Sequence, residues 1–195
     1  MMKMFNLKSK KAAKGFTLIE ILLVVGFIAL AGLGVYVVYN KVSAGGAANT
    51  EARNLDTLRA GTKTLYGGAS TYGTVGTSIN PILNDARVTP DSMRVVPYAQ
   101  GATAINNSFG GTVTVAPVTL GNGAAGNGFR ITYNNVPGSV CSKLVTSAGT
   151  SFDSLGVGTP GNVKLFGTGN LNIAALTTGC AADTGNGVTV TFDSL

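Results

Sequence analysis

The sequence of 195 residues contains no histidine and no tryptophan, only two cysteines, and few charged residues. Without histidine, the Ser-His-Asp and Cys-His arrangements of nucleophilic catalysis cannot form. Two lone cysteines cannot supply the roughly four ligands of a structural zinc site. A carboxylate pair such as Asp85 and Asp91 is explained by a capped helix and a turn. The sequence therefore predicts no enzyme, no metal and no cofactor.

Basic residues are concentrated at the start of the chain. The formal net charge is +6, but five of the fourteen basic residues precede residue 16: Lys3, Lys8, Lys10, Lys11 and Lys14. Removing these five leaves nine basic against eight acidic side chains. No basic face of the kind that binds phosphate backbones is left, so nucleic acid is not an expected partner.

A long apolar segment follows the basic residues. No side chain between Ile21 and Asn40 is charged, and roughly 20 helical residues cross the hydrocarbon of a bilayer. The lysines are expected to hold the N-terminal side in the cytoplasm, which places the residues after Lys41 outside the inner membrane. Glu20 lies near the start of this segment, where a carboxylate costs about 2.5–3.5 kcal/mol. It therefore needs a partner or a function.

The string "KGFTLIEILLVV", which contains Glu20, resembles the type IV prepilins. In that family a prepilin peptidase cuts between a glycine and a hydrophobic residue and N-methylates the new terminus. The resemblance implies cleavage between Gly15 and Phe16 and an N-methylated Phe16, which keeps its positive charge. It also implies that Glu20 meets the N-terminal amine of a neighbouring subunit. Because a shifted neighbour would leave two buried charges unmatched, this pair is expected to fix the docking register.

Two other interpretations of the apolar segment stay open. The small residues in "LAGLG" are compatible with a secretory signal that is cleaved after its apolar core. A plain membrane anchor is the second, and both leave Glu20 unexplained. Pseudopilins of type II secretion and DNA-uptake systems share the prepilin motif, so the motif identifies the superfamily and not the branch.

The helix is predicted to continue beyond the membrane to a stop at Gly67 and Gly68. Residues on one predicted face are Ala48, Leu55, Leu58, Thr62 and Leu65. Residues assigned to the other faces are Glu51, Arg53, Asp56, Arg59 and Lys63. The glycines within residues 26–46 either allow close helix packing or mark a stretch that bends or melts when subunits enter a filament.

The rest of the chain is predicted to be α+β. Short helices are predicted in "INPILNDARV", with Asn80 as N-cap, and in "PGSVCSKLVTSA", with Ser139 as N-cap and three inward residues, Val140, Leu144 and Val145. Strands are predicted in "SMRVVPY", "GTVTVAPVTL", "GFRITYNN", "VKLFG" and "GVTVTFD". Gly-x-Gly-x-x-Gly matches at 121–126 and 156–161 lack the strand-then-helix context of a dinucleotide site and are interpreted as turns.

The two cysteines, Cys141 and Cys180, are predicted to lie on a helix and in a loop, respectively. A cysteine pair in an exported domain most often forms a disulfide, whereas two buried free thiols would fit a cytosolic domain. The apolar segment and its flanks favour export. A bridge would close a loop of roughly 40 residues and contribute about 4 kcal/mol in the chain-entropy model.

Longer stretches resemble the type IVb pilins of conjugative thin pili and enterobacterial adhesive pili. They are "LDTLRAGTKTLYGGASTYGTVGTSI", "ARVTPDSM", "GFRITYNNVPGSVCSKLV" and the strand "GVTVTFDSL". The resemblance implies a long N-terminal helix packed on a twisted antiparallel sheet, with the last strand inside the sheet and a disulfide-bounded region exposed on the fibre. The short leader and the first mature residue, Phe16, depart from the type IVb pattern.

The expected organisation has four parts: a leader at 1–15, an apolar transmembrane and filament-core helix at 16–40, its amphipathic continuation at 41–67, and a globular head at 68–195 with a disulfide-bounded region at 141–180. The expected function is that of a major pilin, which polymerises into an extracellular fibre for adhesion, aggregation or mating-pair contact. The alternatives are a minor pilin or pseudopilin, and a membrane-tethered binding domain that does not polymerise.

The expected partners are other copies of the chain, the prepilin peptidase, the inner-membrane assembly machinery and, before assembly, the membrane itself. The precursor is expected in the inner membrane with its N-terminus in the cytoplasm and its head in the periplasm. The assembled subunit is expected in a pilus on the cell surface.

Overall fold

The structure is a computed structural model that describes residues 16–95 and 99–195, without the side chains of residues 37–44. The chain divides into two compact units, with the boundary between Lys41 and Val42. Helix α1, Leu18–Leu65, contributes its first part to the N-terminal unit and its remainder to the C-terminal unit. It passes through Gly45 and Gly46 without interruption, and bending or melting in a filament stays a prediction.

The N-terminal part of α1 is apolar and exposed. Residues Leu18–Tyr36 form a stretch of 19 residues with a mean hydropathy of 2.6, long and apolar enough to cross a membrane. None of this stretch is buried within the structure. The helix begins after Thr17, whose hydroxyl oxygen accepts a hydrogen bond from the Glu20 backbone N–H at 3.4 Å.

The C-terminal part of α1 is amphipathic, as the spacing predicts. Four residues of the predicted apolar face are buried: Ala48, Leu55, Leu58 and Thr62. The fifth, Leu65, is 40% exposed at the end of the helix, and a turn over residues 66–68 follows at the predicted stop. Glu51 was predicted to lie on an outer face, and this is wrong because its side chain is buried.

Five antiparallel strands form one sheet in the order β1-β2-β5-β3-β4. Their bounds are β1 Val113–Val118, β2 Gly128–Val136, β3 Ser154–Val157, β4 Thr159–Lys164 and β5 Val188–Ser194. Strand β5 lies between β2 and β3, as the type IVb resemblance implies. Its Phe192 lies opposite Ile131 of β2 and Leu155 of β3, and all three side chains are fully buried.

The helices of the C-terminal unit differ from prediction at several points. In the described residues they are α2 Asn80–Asp85, α3 Gly138–Ala148 and α4 Ile173–Ala181, together with a 3₁₀ turn at Asp91–Met93. Helix α3 buries Val140, Leu144 and Val145 as predicted. Helix α4 and strand β3 were not predicted.

The strand predicted in "SMRVVPY" is wrong over its first residues. Asp91–Met93 forms the 3₁₀ turn, which buries Met93 in the core. Asp91 and Arg94 form an ion pair across this turn, and such a pairing three residues apart favours a tight turn over an extended strand. Residues 96–98 of the same prediction lie outside the described residues.

Two predicted N-caps are also wrong. Ile79 precedes α2, and Asn80 instead uses its buried carboxamide on strand β1: its Nδ2 donates to the Val113 carbonyl at 2.8 Å and its Oδ1 accepts from the Val115 N–H at 2.8 Å. Pro137 precedes α3, where Asp183 Oδ2 accepts the N–H of Gly138 at 2.8 Å. In both cases a long-range partner replaces a local one.

The remaining strand and turn predictions hold with shifted boundaries. Strand β4 contains the Val163 and Lys164 of "VKLFG" but begins at Thr159. The Gly-x-Gly-x-x-Gly match at 121–126 lies in the β1–β2 loop, as predicted. The match at 156–161 spans the β3–β4 hairpin, whose turn is at Gly158 with a φ of +72°.

Candidate functional site

The residues predicted to carry assembly lie at the start of α1. Phe16 and Glu20 line one groove on the surface of this helix, together with Ile21, Val24 and Val25. Phe16 is 79% exposed. The predicted processing residue, Gly15, lies outside the described residues.

Glu20 is exposed, and its carboxylate makes no hydrogen bond or ion pair with another described residue. Every neighbour in its groove is apolar. An ionised carboxylate can enter an apolar environment only at high cost unless it meets a cation there. When this face is buried, its counter-charge must come from outside the described part of the chain.

The predicted disulfide is present. Cys141 on α3 and Cys180 on α4 are bridged, with their Cα atoms 5.6 Å apart. Both cysteines are buried, so the bridge joins two helices from inside the core. Cys180 lies in helix α4 and not in the predicted loop, because Asn172 caps that helix by accepting the N–H of Ala175 at 3.0 Å.

A buried carboxylate fastens α1 to the head, and the sequence analysis missed it. Glu51 Oε1 accepts hydrogen bonds from the backbone N–H of Ser108 at 2.9 Å and from the Ser108 hydroxyl. Glu51 Oε2 accepts from the Tyr133 hydroxyl of β2 at 3.1 Å. Burial, together with the charge of Glu51 and the hydrogen bond to it, raises the pKa of Tyr133 well above its usual range. The phenol therefore remains a donor.

The spacing of α1 does contain a signal for this contact. Glu51 lies three residues after Ala48 and four before Leu55, both of which are buried, so it shares their face. The sequence analysis assigned it to an outer face because it is charged, and a charged residue is rarely fully buried without a partner.

Replacing Glu51 with alanine should lower the free energy of unfolding of the head by about 1–3 kcal/mol, because the buried Tyr133 hydroxyl and the two donors of Ser108 lose their acceptor. The measurement is denaturant unfolding of the purified chain followed by far-UV circular dichroism. Asp56→Ala is the matched control, since Asp56 is an exposed acid on the same helix, and it should change stability by less than about 0.5 kcal/mol. Equal stability of the two variants would contradict this role for Glu51.

A second set of polar contacts joins α1 to the end of β5. Arg59 Nε donates to Ser194 Oγ at 3.1 Å, and its guanidinium lies 5.5 Å from the centre of the Phe152 ring. Ser194 Oγ in turn donates to Asp153 Oδ2 at 3.1 Å. Beside them, Arg130 of β2 forms a two-point ion pair with the buried Asp193 of β5. Helix α1 thus contacts the central strand as well as the core.

Metal-binding clusters are not found in the described residues. No group of three or more histidine, cysteine, aspartate or glutamate side chains able to hold a metal ion occurs there. Asp85 Oδ1 accepts the N–H of Gly101 at 2.9 Å, while Asp91 pairs with Arg94. The two acids therefore have separate structural partners.

Comparison with known proteins gives consistent results for the C-terminal unit. Residues 46–194 match the family model described as PilS N terminal. The crystal structure of a type IV b pilin from Salmonella typhi is 27% identical, with a TM-score of 0.58, over 74% of this chain and 97% of that chain. TcpA, a type IV pilin from Vibrio cholerae El Tor biotype, is 20% identical, with a TM-score of 0.53, over 77% of this chain and 99% of that chain. Comparison with curated proteins gives no significant match.

Proposed function

This chain belongs to the PilS N terminal family and has the type IV pilin fold, and from that premise we propose that it is the major subunit of an extracellular type IV pilus. The family and fold are those of structural pilus subunits and not of enzymes. The proposed outcome of polymerisation is adhesion, aggregation or mating-pair contact.

One observation carries the proposal: the helical stretch Leu18–Tyr36 is wholly exposed in the isolated chain and holds a single carboxylate, Glu20, which has no partner among the described residues. In the precursor, this helix is proposed to lie in the inner membrane with its N-terminus in the cytoplasm and its head in the periplasm. The assembly machinery is proposed to withdraw it and to pack it against the same helix of other copies.

The proposed chemistry of assembly depends on two charges. Cleavage after Gly15 by the prepilin peptidase creates an ammonium at Phe16, which N-methylation leaves positive. The ammonium of one subunit is proposed to meet Glu20 of its neighbour inside the bundle of apolar helices. Because apolar helices can slide past one another at little cost, the charge pair selects one register among many similar ones.

The mature subunit should begin at N-methylated Phe16. Intact-mass measurement of subunits from sheared surface fibres should give the mass of residues 16–195 with the disulfide formed and one methyl group added. In the variant Gly15→Val, a longer species should accumulate in the membrane fraction. Fibres whose subunits retain residues 1–15, or begin after Gly34, would contradict the proposed processing.

The assignment as a major subunit is tested separately. Electron microscopy of sheared fibres, with mass spectrometry of their subunits, should identify this chain as the principal component. A minor pilin or a pseudopilin would appear there only in trace amounts. A tethered binding domain that does not polymerise would be absent from the fibres and would not need Glu20.

A further inference from the structure

A polar cleft in the C-terminal unit has no place in the assembly proposed above. It has a volume of about 470 Å³, within the usual range of about 300–1,000 Å³ for small-molecule sites. Three segments form it: the turn that carries Phe109, the junction of β2 and α3 at Asn135 and Pro137, and the α4–β5 loop that carries Asp183 and Asn186.

Asp183 holds the α4–β5 loop, which forms one wall of the cleft, in place. Asp183 Oδ1 accepts the N–H groups of Gly185 at 2.8 Å and Gly187 at 2.9 Å, and its Oδ2 accepts the N–H of Gly138 at 2.8 Å. These backbone hydrogen bonds lower the pKa of Asp183, so its carboxylate stays ionised at pH values that would protonate an ordinary aspartate.

Hydrogen bonds and close packing also hold the opposite walls of the cleft in place. Asn107 Oδ1 accepts the N–H groups of Phe109 at 3.0 Å and Gly111 at 2.9 Å, which closes the turn beneath the aromatic ring. Gly187 has a φ of +71°, and a Cβ there would lie 2.4 Å from the Asn135 carbonyl carbon, so the loop packs directly on the end of β2. A site fixed in this way loses little freedom when a ligand binds.

The two asparagines supply unused hydrogen-bonding groups. Asn135 lies where the pairing of β2 with β5 is irregular, and its φ of +57° is one that asparagine tolerates better than most residues. Asn135 and Asn186 are exposed, and neither carboxamide makes a hydrogen bond with a described residue. Each offers one acceptor oxygen and two donor hydrogens to the cleft.

We propose that this cleft binds a neutral saccharide. Each sugar hydroxyl is both a donor and an acceptor, which the two carboxamides can match, and the Asp183 carboxylate adds a further acceptor. The half-buried ring of Phe109 offers an apolar surface to the C–H face of a sugar. No lysine or arginine is among the described residues that line the cleft, so sialylated and phosphorylated ligands lack a cation and meet the charge of Asp183.

The test uses the full-length mature chain in a detergent without a sugar headgroup, applied to an array of neutral glycans and their sialylated counterparts. Neutral glycans should be retained in preference to the sialylated ones, and the strongest of them should then be titrated by calorimetry. The experiment needs no fibres, so its failure is distinguishable from failure of the proposed function.

Asn135→Gly removes one carboxamide but permits the positive φ, and Asn186→Ala removes the other from an exposed loop. The double variant should bind at least tenfold more weakly, while Asn170→Ala, which removes an exposed carboxamide from a different cavity, should bind like the wild type. An unchanged thermal midpoint shows that the head of a variant is folded. If the double variant does not fold, the single variant Asn186→Ala is tested in its place and should also bind more weakly than the wild type. Retention of no neutral glycan, preference for sialylated ones, or full affinity in folded variants would overturn the proposal.

Discussion

The variant Glu20→Val should reach the membrane and be cut after Gly15, yet enter no fibres. Valine keeps the helix apolar, and the leader with its cleavage position is untouched. Each docked neighbour would then bury the ammonium of Phe16 without a partner, which costs about 3–5 kcal/mol. At about 1.4 kcal/mol for each tenfold change, every docking step becomes at least about a hundredfold less favourable. The defect recurs at every subunit.

The measurement is the number of surface fibres per cell by electron microscopy, together with the amount and mass of the subunit in the membrane fraction. Ile21→Val is the matched control, because Ile21 lines the same groove and its change alters volume without charge. It should assemble normally. Fibre density of Glu20→Val equal to that of the wild type would refute the register role and favour a plain anchor.

Removal of the disulfide should have the second large effect. The variant Cys141→Ala/Cys180→Ala opens a link between residues 39 positions apart, and loss of such a link typically costs about 2–5 kcal/mol. For a chain of this size the thermal midpoint of unfolding should fall by roughly 5–15 °C. Fibre yield should fall with it, because fewer heads remain folded in the periplasm.

The thermal midpoint is measured by far-UV circular dichroism with and without a reductant. The reductant should lower the midpoint of the wild type once the buried bridge becomes accessible, and should leave the double variant unchanged. Thiol labelling of both cysteines in denatured wild-type protein without reductant would contradict an oxidised bridge, as would a double variant of unaltered midpoint.

Local patterns were enough to predict the periodic elements of this fold. Strands β1, β2 and β5 alternate in polarity, and the inward face of α3 follows from its helical spacing. The position of β5 inside the sheet came from the type IVb resemblance and is confirmed. None of these required knowledge of a distant residue.

The wrong predictions for Glu51 and Asn80 share a physical cause, which is that a distant partner decides the outcome. Glu51 is buried because its donors, Ser108 and Tyr133, come to it from 57 and 82 positions away. Asn80 was predicted to cap its own helix but pairs with β1 more than 30 positions later. Helix α4 carries weak helix formers, including Gly179, where a Cβ would lie 2.8 Å from that of Val157. Packing fixes that helix where propensity does not.

The proposed assembly site was predicted neither from a local pattern nor from a distant contact within the chain. A motif resemblance assigned Gly15, Phe16 and Glu20 as the processing and assembly residues. Their proposed partners are the prepilin peptidase and a neighbouring subunit. In the structure, the Glu20 carboxylate lies in an apolar groove with no partner among residues 16–95 and 99–195, as the proposed pairing with a neighbouring subunit requires.

The central position of β5 also determines when the head can fold during the proposed export. Strands β2 and β3 have no pairing with each other and are joined only through β5, which is translated about 50 residues after β2 ends. Until β5, which begins at Val188, is available, the sheet can form only as separate hairpins, which are marginal alone. Folding must therefore wait for nearly all of the described chain, and its rate is set by long-range closure. On the proposed export route, any chain that terminates before β5 should remain open to periplasmic proteases, so the order of the strands would remove incomplete subunits before they could join a fibre.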